Sequence, residues 1–162
     1  MAFKTMKSIQ KELFGNKLVL DDDGKSVKGV FLYNSDDDVL VASAHYIKTE
    51  SYSGYVHCCE TGCPACANGI RKQDKLFIPF LILADLNPDM DLESDKLVFW
   101  DRSNSFMHQL NADVFDRYPD PSRYVFKITR HGAWKDRNTR YEISVVMNFN
   151  ADINDVLSSM GI

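Results

Sequence analysis

From Ser26 onward the chain falls into short apolar runs separated by turn-forming residues, the pattern of strands rather than of long helices. The runs are SVKGVFLY, VLVASAHYIK, YSGYVHCC, KLFIPFLILAD and KLVFW, and the SYSG between the second and third reads as a hairpin turn that sets them antiparallel. In RYEISVVMNF, Tyr141, Ile143, Val145, Met147 and Phe149 alternate with Arg140, Glu142, Ser144, Val146 and Asn148, and Tyr124, Phe126 and Ile128 recur with the same period in the strand before it. A period of two places one set on the core side of a sheet. Helical spacing is confined to three places. Residues 4 to 14 read as a short helix or arm. Phe106, Met107, Leu110 and Val114 share one face of a helix that Ser103 caps and that ends near Tyr118, before Pro119 and Pro121. ADINDVLSSM reads as a short last helix capped by Asn150.

These elements predict a mainly β fold with a few short helices, divided into an N-terminal arm (1–25), a core (26–149) with an inserted subdomain at about 45–75, and a C-terminal helix (150–162). A single five-stranded Greek-key barrel of the oligonucleotide-binding (OB) type is one architecture with this order of elements. At 162 residues the chain forms one domain that buries about two-thirds of its unfolded surface without needing disulfides. With 44% hydrophobic and 26% charged residues it is neither a disordered nor a membrane sequence. The longest apolar run, Leu76 to Leu86, is interrupted by Pro79 and Asp85, and the first residues lack the apolar core of a secretory signal, so a cytoplasmic protein is expected.

The net charge of -4 conceals a segregation. Asp85 to Asp95 carries five carboxylates and no base, whereas Arg123 to Arg140 has six Lys/Arg against one Asp, a local balance of +5. A basic stripe on an acidic body is an electrostatic footprint of nucleic-acid binding.

All four cysteines lie in HCCETGCPAC, His57 to Cys66. Reduced thiols clustered in a cytosolic chain point to a metal, and Cys63-Pro64-Ala65-Cys66 has the spacing that turns two thiolates toward one ion. Cys58 and Cys59 are neighbours in an extended segment, so one of them faces that ion. Pairing about SYSG sets His45 opposite Cys58. The preferred ligands are therefore His45, Cys58, Cys63 and Cys66, with Cys59 and His57 as substitutes, around one structural Zn2+. A thioredoxin-type use of CPAC leaves the other cysteines and His45 unexplained, and the deaminase pattern fails at Cys59 and Gly62.

His45, twelve residues, Cys58, then C-P-A-C resembles the zinc subdomain of the T-even-type bacteriophage single-stranded DNA-binding (helix-destabilising) protein family. The likeness continues in KSVKGVFLYNSDDDVLVASAH, in FLILADLNPDMDLESDKLVFWDRSNSFMHQL, and in RYVFKITRHGAWKDRNTRYEISVV, covering roughly residues 26 to 149. The gap from Cys58 to Cys63 is shorter than the family's, and KTMKSIQK matches the family's basic arm only loosely. The resemblance implies a zinc-containing OB core that binds single-stranded DNA without reading sequence, in phage replication, recombination and repair. It implies no enzymatic activity, a place in the cytoplasm of the bacterial host, and two further partners, another copy along the strand and phage replication proteins.

Such binding needs cations along the phosphates and aromatic faces for the bases. The candidates are Trp134 among Arg130, Lys135, Arg137 and Arg140; Arg123 and Lys127 on the preceding strand; Trp100 beside Arg102; Tyr46, Tyr52 and Lys48 on the cysteine hairpin; and Arg71 and Lys72 after the knuckle. Two other classes stay open: a zinc-bearing adaptor that binds protein through the acidic Asp85 to Asp95 loop, and a CPAC thiol oxidoreductase.

Overall fold

A computed structural model describes residues 17–32, 40–51, 53–59, 61–133 and 138–160. The expected N-terminal helix at 4 to 14 lies outside them. Among the described residues, seven strands form one antiparallel sheet: β1 (Ser26–Phe31), β2 (Leu40–Lys48), β3 (Ser53–His57), β4 (Lys72–Ile82), β5 (Lys96–Ser103), β6 (Tyr124–His131) and β7 (Arg140–Asn148). The helices are short: α1 (Pro64–Ala67), α2 (Met107–Leu110) and α3 (Ile153–Ser159).

The sheet is organised around β4. Leu76, Phe77, Ile78, Phe80, Leu81 and Ile82 are all buried, so this strand has protein on both faces and reads as a continuous apolar run instead of an alternation. One edge of β4 carries β5 along most of its length, from Lys75↔Ser103 to Ile82↔Lys96. The other edge is shared end to end. β2 pairs with the first half, from His45↔Lys72 to Leu40↔Phe77, and β1 with the second, from Phe31↔Phe80 to Gly29↔Ile82. β3 extends the sheet beyond β2, and β6 and β7 extend it beyond β1. The result is a main sheet, β5-β4-β1-β6-β7, and a side arm, β2-β3, that have β4 in common. Gly29 is required where β1 crosses: a Cβ there would sit 2.1 Å from the Leu81 carbonyl oxygen and 2.5 Å from the Phe80 ring.

Two cores follow from the two faces. The larger contains Val27, Phe31, Ile78, Phe80, Trp100, Phe126 and Ile128, with Phe31 edge-on to both Phe80 and Phe126 at 5.1 Å. Leu110 and Val114 close it from a helical run in which a 3-10 turn (Asn104–Phe106) leads into α2 and then a wider π turn (Asn111–Phe115). The smaller core, on the opposite face, packs Val30, Leu32, Leu81, Leu83 and Val125 under Ile153 and Leu157 of α3. Val125 is buried in a position that strict alternation assigns to solvent, and Met147 is 44% exposed where alternation turns it inward. A bulge between Val125 and Phe126 shifts the register there and accounts for Met147; the α3 cover accounts for Val125.

The two expected helices that fall within the described residues are present, with different caps. Asp152, not Asn150, caps α3, accepting from the Asn154 N–H at 2.8 Å. Ser103 makes no capping bond, and its hydroxyl meets that of Ser105 at 3.0 Å. The barrel expectation is met only in part, because among the described residues β5 and β7 form no ladder and the sheet is not closed. Other groups occupy the facing edges: the Phe99 carbonyl accepts from Leu18 N–H at 2.8 Å, and the Tyr141 carbonyl accepts from the Gln109 amide.

The turn after β4 is held by one buried amide. Asn87 Nδ2 donates to the carbonyls of Lys28 and Leu83, and Asn87 Oδ1 accepts from Lys28 N–H. Asn87→Ala strands buried backbone groups, each worth ~1–3 kcal/mol. Its urea midpoint is expected to fall by an amount equivalent to roughly 3 kcal/mol at unchanged m; a shift no larger than that of an exposed Asn→Ala control contradicts this role.

Candidate metal centre and basic surface

Three separated segments bring four ligand atoms together. His45 projects from β2, Cys58 directly follows β3, Cys63 precedes α1 and Cys66 lies within it. The nitrogen and three sulfurs all lie within 4.8 Å of one another. Cys58 Sγ is 3.7 Å from Cys66 Sγ, and His45 Nε2 is 3.7 Å from Cys63 Sγ and 3.4 Å from Cys66 Sγ. A tetrahedral ion with metal–sulfur bonds of ~2.3 Å and metal–nitrogen bonds of ~2.0–2.1 Å has edges of about 3.8 Å between sulfurs and about 3.6 Å from sulfur to nitrogen. The quartet therefore fits one tetrahedral metal ion.

The hairpin register differs from the expected one. His45 pairs with Val56, and the Cys58 N–H donates to the Ser43 carbonyl at 3.0 Å, so His45 and Cys58 are diagonal rather than directly opposite. The turn falls between Lys48 and Ser53, so the partner of His45 lies two residues earlier than expected. A shift of two preserves the face, and both side chains still reach the same point.

Local structure prepares each ligand. Pro64 starts α1, where a missing N–H costs nothing, and the Ala67 N–H donates to the Cys63 carbonyl at 3.0 Å. Gly69, at φ 72, reverses the chain so that Ile70 N–H returns to the Ala65 carbonyl. That reversal brings the Ile70 and Arg71 carbonyls to 3.1 Å from His45 Nδ1. With acceptors on that side, Nδ1 carries the proton and Nε2 presents its lone pair to the cluster. These two carbonyls are the part of the site that sequence alone leaves out.

The electrostatics suit metal capture. Backbone N–H groups of Cys66 and Cys59 aimed at the Cys63 sulfur hold that thiol down to about 6, against the opposing effect of burial. The neighbouring Cys58 sulfur pushes the Cys66 thiol up to about 11 and raises His45 above its ordinary value. Cys59 is exposed and is not one of the four. Partial desolvation, then the Cys63 sulfur beside it, push its thiol up. The His57 side chain lies outside the described residues.

The basic and aromatic candidates separate into groups. Tyr46, 45% exposed, shares a face of β2 with Lys48, and Arg71 directly precedes Lys72, the β4 partner of the neighbouring His45. Lys48 and Arg71 are both exposed. Lys72 falls on the His45 side. Lys127 and Arg140 share the outer face of the β6–β7 hairpin with Lys28, which pairs with Lys127. Arg123, at the other end, is exposed and paired with Asp120 at 2.9 Å. Trp134, Lys135, Arg137 and Tyr52 lie outside the described residues.

Two candidates belong to the interior instead. Trp100 is 2% exposed, with Phe106 and Tyr141 edge-on to it at 5.0 and 5.2 Å, so it has no face for a base. Arg130 is 8% exposed, and its guanidinium donates to the carbonyls of Leu20, Gly132 and Ala133 and to Thr139 Oγ1. It ties the hairpin to the N-terminal segment. Arg102 lies over Tyr141, 4.6 Å from the ring centroid, at the seam between β5 and β7.

Among the described residues, the arm's own cluster of buried side chains is Cys58, Cys63 and Ala65, with Ile47 and Ile70 packed against them. Metal binding is therefore expected to supply most of the arm's folding energy. Removing metal from the intact protein with a chelator should abolish hydrogen-exchange protection in β2 beyond Ser43, in β3 and in α1, while β1, β6 and the second half of β4 stay protected; uniform loss or uniform retention contradicts this division. Metal uptake must displace the Cys66 proton at neutral pH and, in acid, the protons of His45 and Cys63 as well. A plot of log affinity against pH should accordingly steepen on the acid side of about 6, and a pH-independent affinity excludes thiolate ligation here.

No helix among the described residues is long and apolar enough to cross a membrane. No protein-family model and no curated protein matches this chain.

Proposed function

We propose that the protein is a non-catalytic, sequence-tolerant binder of single-stranded DNA, in which one structural Zn2+ fixes the β2-β3 arm beside an OB-type core. The observation that carries this reading is the joining of the His45–Cys58–Cys63–Cys66 quartet to a strip of exposed aromatic and cationic side chains, Tyr46, Lys48 and Arg71, on the arm that the quartet closes. Three thiolates and an imidazole in tetrahedral array suit zinc, and a four-ligand protein shell leaves no open position for catalysis. The main-sheet order β5-β4-β1-β6-β7 supports an OB assignment: numbering those five strands by chain order gives 3-2-1-4-5, the order of that Greek key opened at one seam. The His45–Cys58 spacing, the C-P-A-C knuckle and the flanking order of strands, acidic loop and helix resemble the phage single-stranded DNA-binding family, although the Cys58–Cys63 gap is shorter, and the replication role is proposed on that likeness.

In this reading Tyr46 offers a face to a base while Lys48 and Arg71 follow the phosphates, with the basic loop around Trp134 and Arg137 as the second contact region. The test is a titration of labelled single-stranded DNA, matched duplex and single-stranded RNA at several salt concentrations. Tight, salt-sensitive, sequence-tolerant binding to single-stranded DNA is expected. Tyr46→Ala should weaken it by ~1–3 kcal/mol, and Lys48→Ala with Arg71→Ala should flatten the log–log salt slope by about 1.4, at ~0.7 per phosphate. Unchanged affinity in Trp134→Ala/Arg137→Ala removes the loop from the site. Absence of binding even at low salt rejects the function and turns attention to the acidic Asp85 to Asp95 loop as a protein-facing surface.

A further inference from the structure

The outer face of the main sheet carries two lysines directly opposite each other. Val27 and Ile128, register partners on β1 and β6, are fully buried in the larger core, so the next pair along, Lys28 and Lys127, points to the other face. There α3 covers Val30 and Val125, while Lys28 and Lys127 are only half-buried. The rows continue across the sheet: Ser144 pairs with Lys127, Glu142 with Thr129 and Arg140 with His131, and Ser26 faces Thr129 from β1. All three β7 residues are exposed. Residues directly opposite have Cβ atoms about 5 Å apart, and like charges so placed repel. Among the described residues the side chains of Lys28, Lys127 and Arg140 enter no ion pair that would offset this. Glu142, the acidic member of the grid, is held by His131 at 2.9 Å. Asn87 binds both the N–H and the carbonyl of Lys28, which fixes that end of β1 in place.

We propose that this grid is a second track for nucleic acid, which seats phosphates of a single strand continuing past the β6–β7 turn. It rests on the single-stranded DNA reading and adds a surface that belongs neither to the metal-bound arm nor to the loop around Trp134. A phosphate between the two ammonium groups replaces their repulsion with two attractions. The hydroxyls of Ser26, Thr129 and Ser144 supply neutral donors beside them. Along β6 the Lys127 row lies four residues from the His131–Arg140 row, about 13 Å at ~3.3 Å per residue. Successive phosphates of one strand can therefore be held in turn. The grid contains no Phe, Tyr or Trp, so the contact is to the backbone and carries no sequence information.

The experiment compares the zinc-loaded full-length protein with Lys28→Gln/Lys127→Gln, and with Lys25→Gln/Lys96→Gln as a control of equal charge change off this grid. Labelled oligothymidylate is titrated at several salt concentrations, and labelled polyglutamate serves as a second probe. The Lys28/Lys127 variant should bind the oligonucleotide roughly ten-fold more weakly at low salt, with a log–log salt slope flatter by about 1.4, at ~0.7 per phosphate. The control should keep the wild-type slope. Without ligand, Lys28→Gln and Lys127→Gln should each raise the urea midpoint at unchanged m, because each removes the repulsion. A double variant with the wild-type slope and affinity overturns the track, and so does an equal loss in the control. Lower urea midpoints in both single variants overturn the like-charge premise. Polyglutamate binding that is lost in the double variant, while DNA binding is kept, assigns the face to an acidic protein and overturns the track as well. A wild-type protein that binds no single-stranded DNA overturns the function on which the track rests, so the two failures are separable.

Discussion

Burial of β4 on both faces is the constraint on which the other elements depend. A strand with Leu76, Ile78 and Phe80 on one side and Phe77 and Leu81 on the other must be covered twice, and the chain does this with unrelated devices. The helical run around α2 closes the larger core, and α3 closes the smaller one. Because both edges of β4 are also paired, its polar first residues are all that reach beyond the core, and they give the arm its base at Lys72 to Lys75. Lys75 marks the transition: it is 9% exposed, and burial draws its ammonium below the usual range against the Asp101 carboxylate 3.2 Å away.

Much of this was legible in the sequence wherever period and chemistry are local. Period-two alternation located β6 and β7, helical spacing placed Leu110 and Val114 in the core, and the cysteine spacing with His45 yielded the four residues that converge. The quartet survived an error in the hairpin register because side-chain direction depends on parity, and the error was two residues. What was not legible depends on partners distant in the chain. The adjacent Phe99 and Trp100 are both buried, which alternation alone does not allow; it takes cover on both sides of β5. Arg130 reads as a surface cation until the Leu20 carbonyl, 110 residues earlier in the chain, is found to accept from it. The open seam between β5 and β7 is likewise a matter of which groups reach the edges first.

The candidate site residues are distributed according to this division. The metal quartet and the Tyr46 strip belong to the arm, whereas Lys127 and Arg140 belong to the outer face of the main sheet. On the proposed single-strand reading, a polymer that engaged both would pass over β4, the one element the two regions share, and the second contact would be strengthened by the effective concentration the first creates.

The end-to-end placement of β1 and β2 along one edge of β4 also has a mechanical meaning. A pull on the arm along the strand axis meets the six β2–β4 residue pairs together, in shear. A pull at right angles opens the same pairs one after another, starting from His45 and Lys72 at the outer end. A load on the arm is thus resisted along one direction and peels the arm away along the other, so the arm's mechanical strength depends on direction.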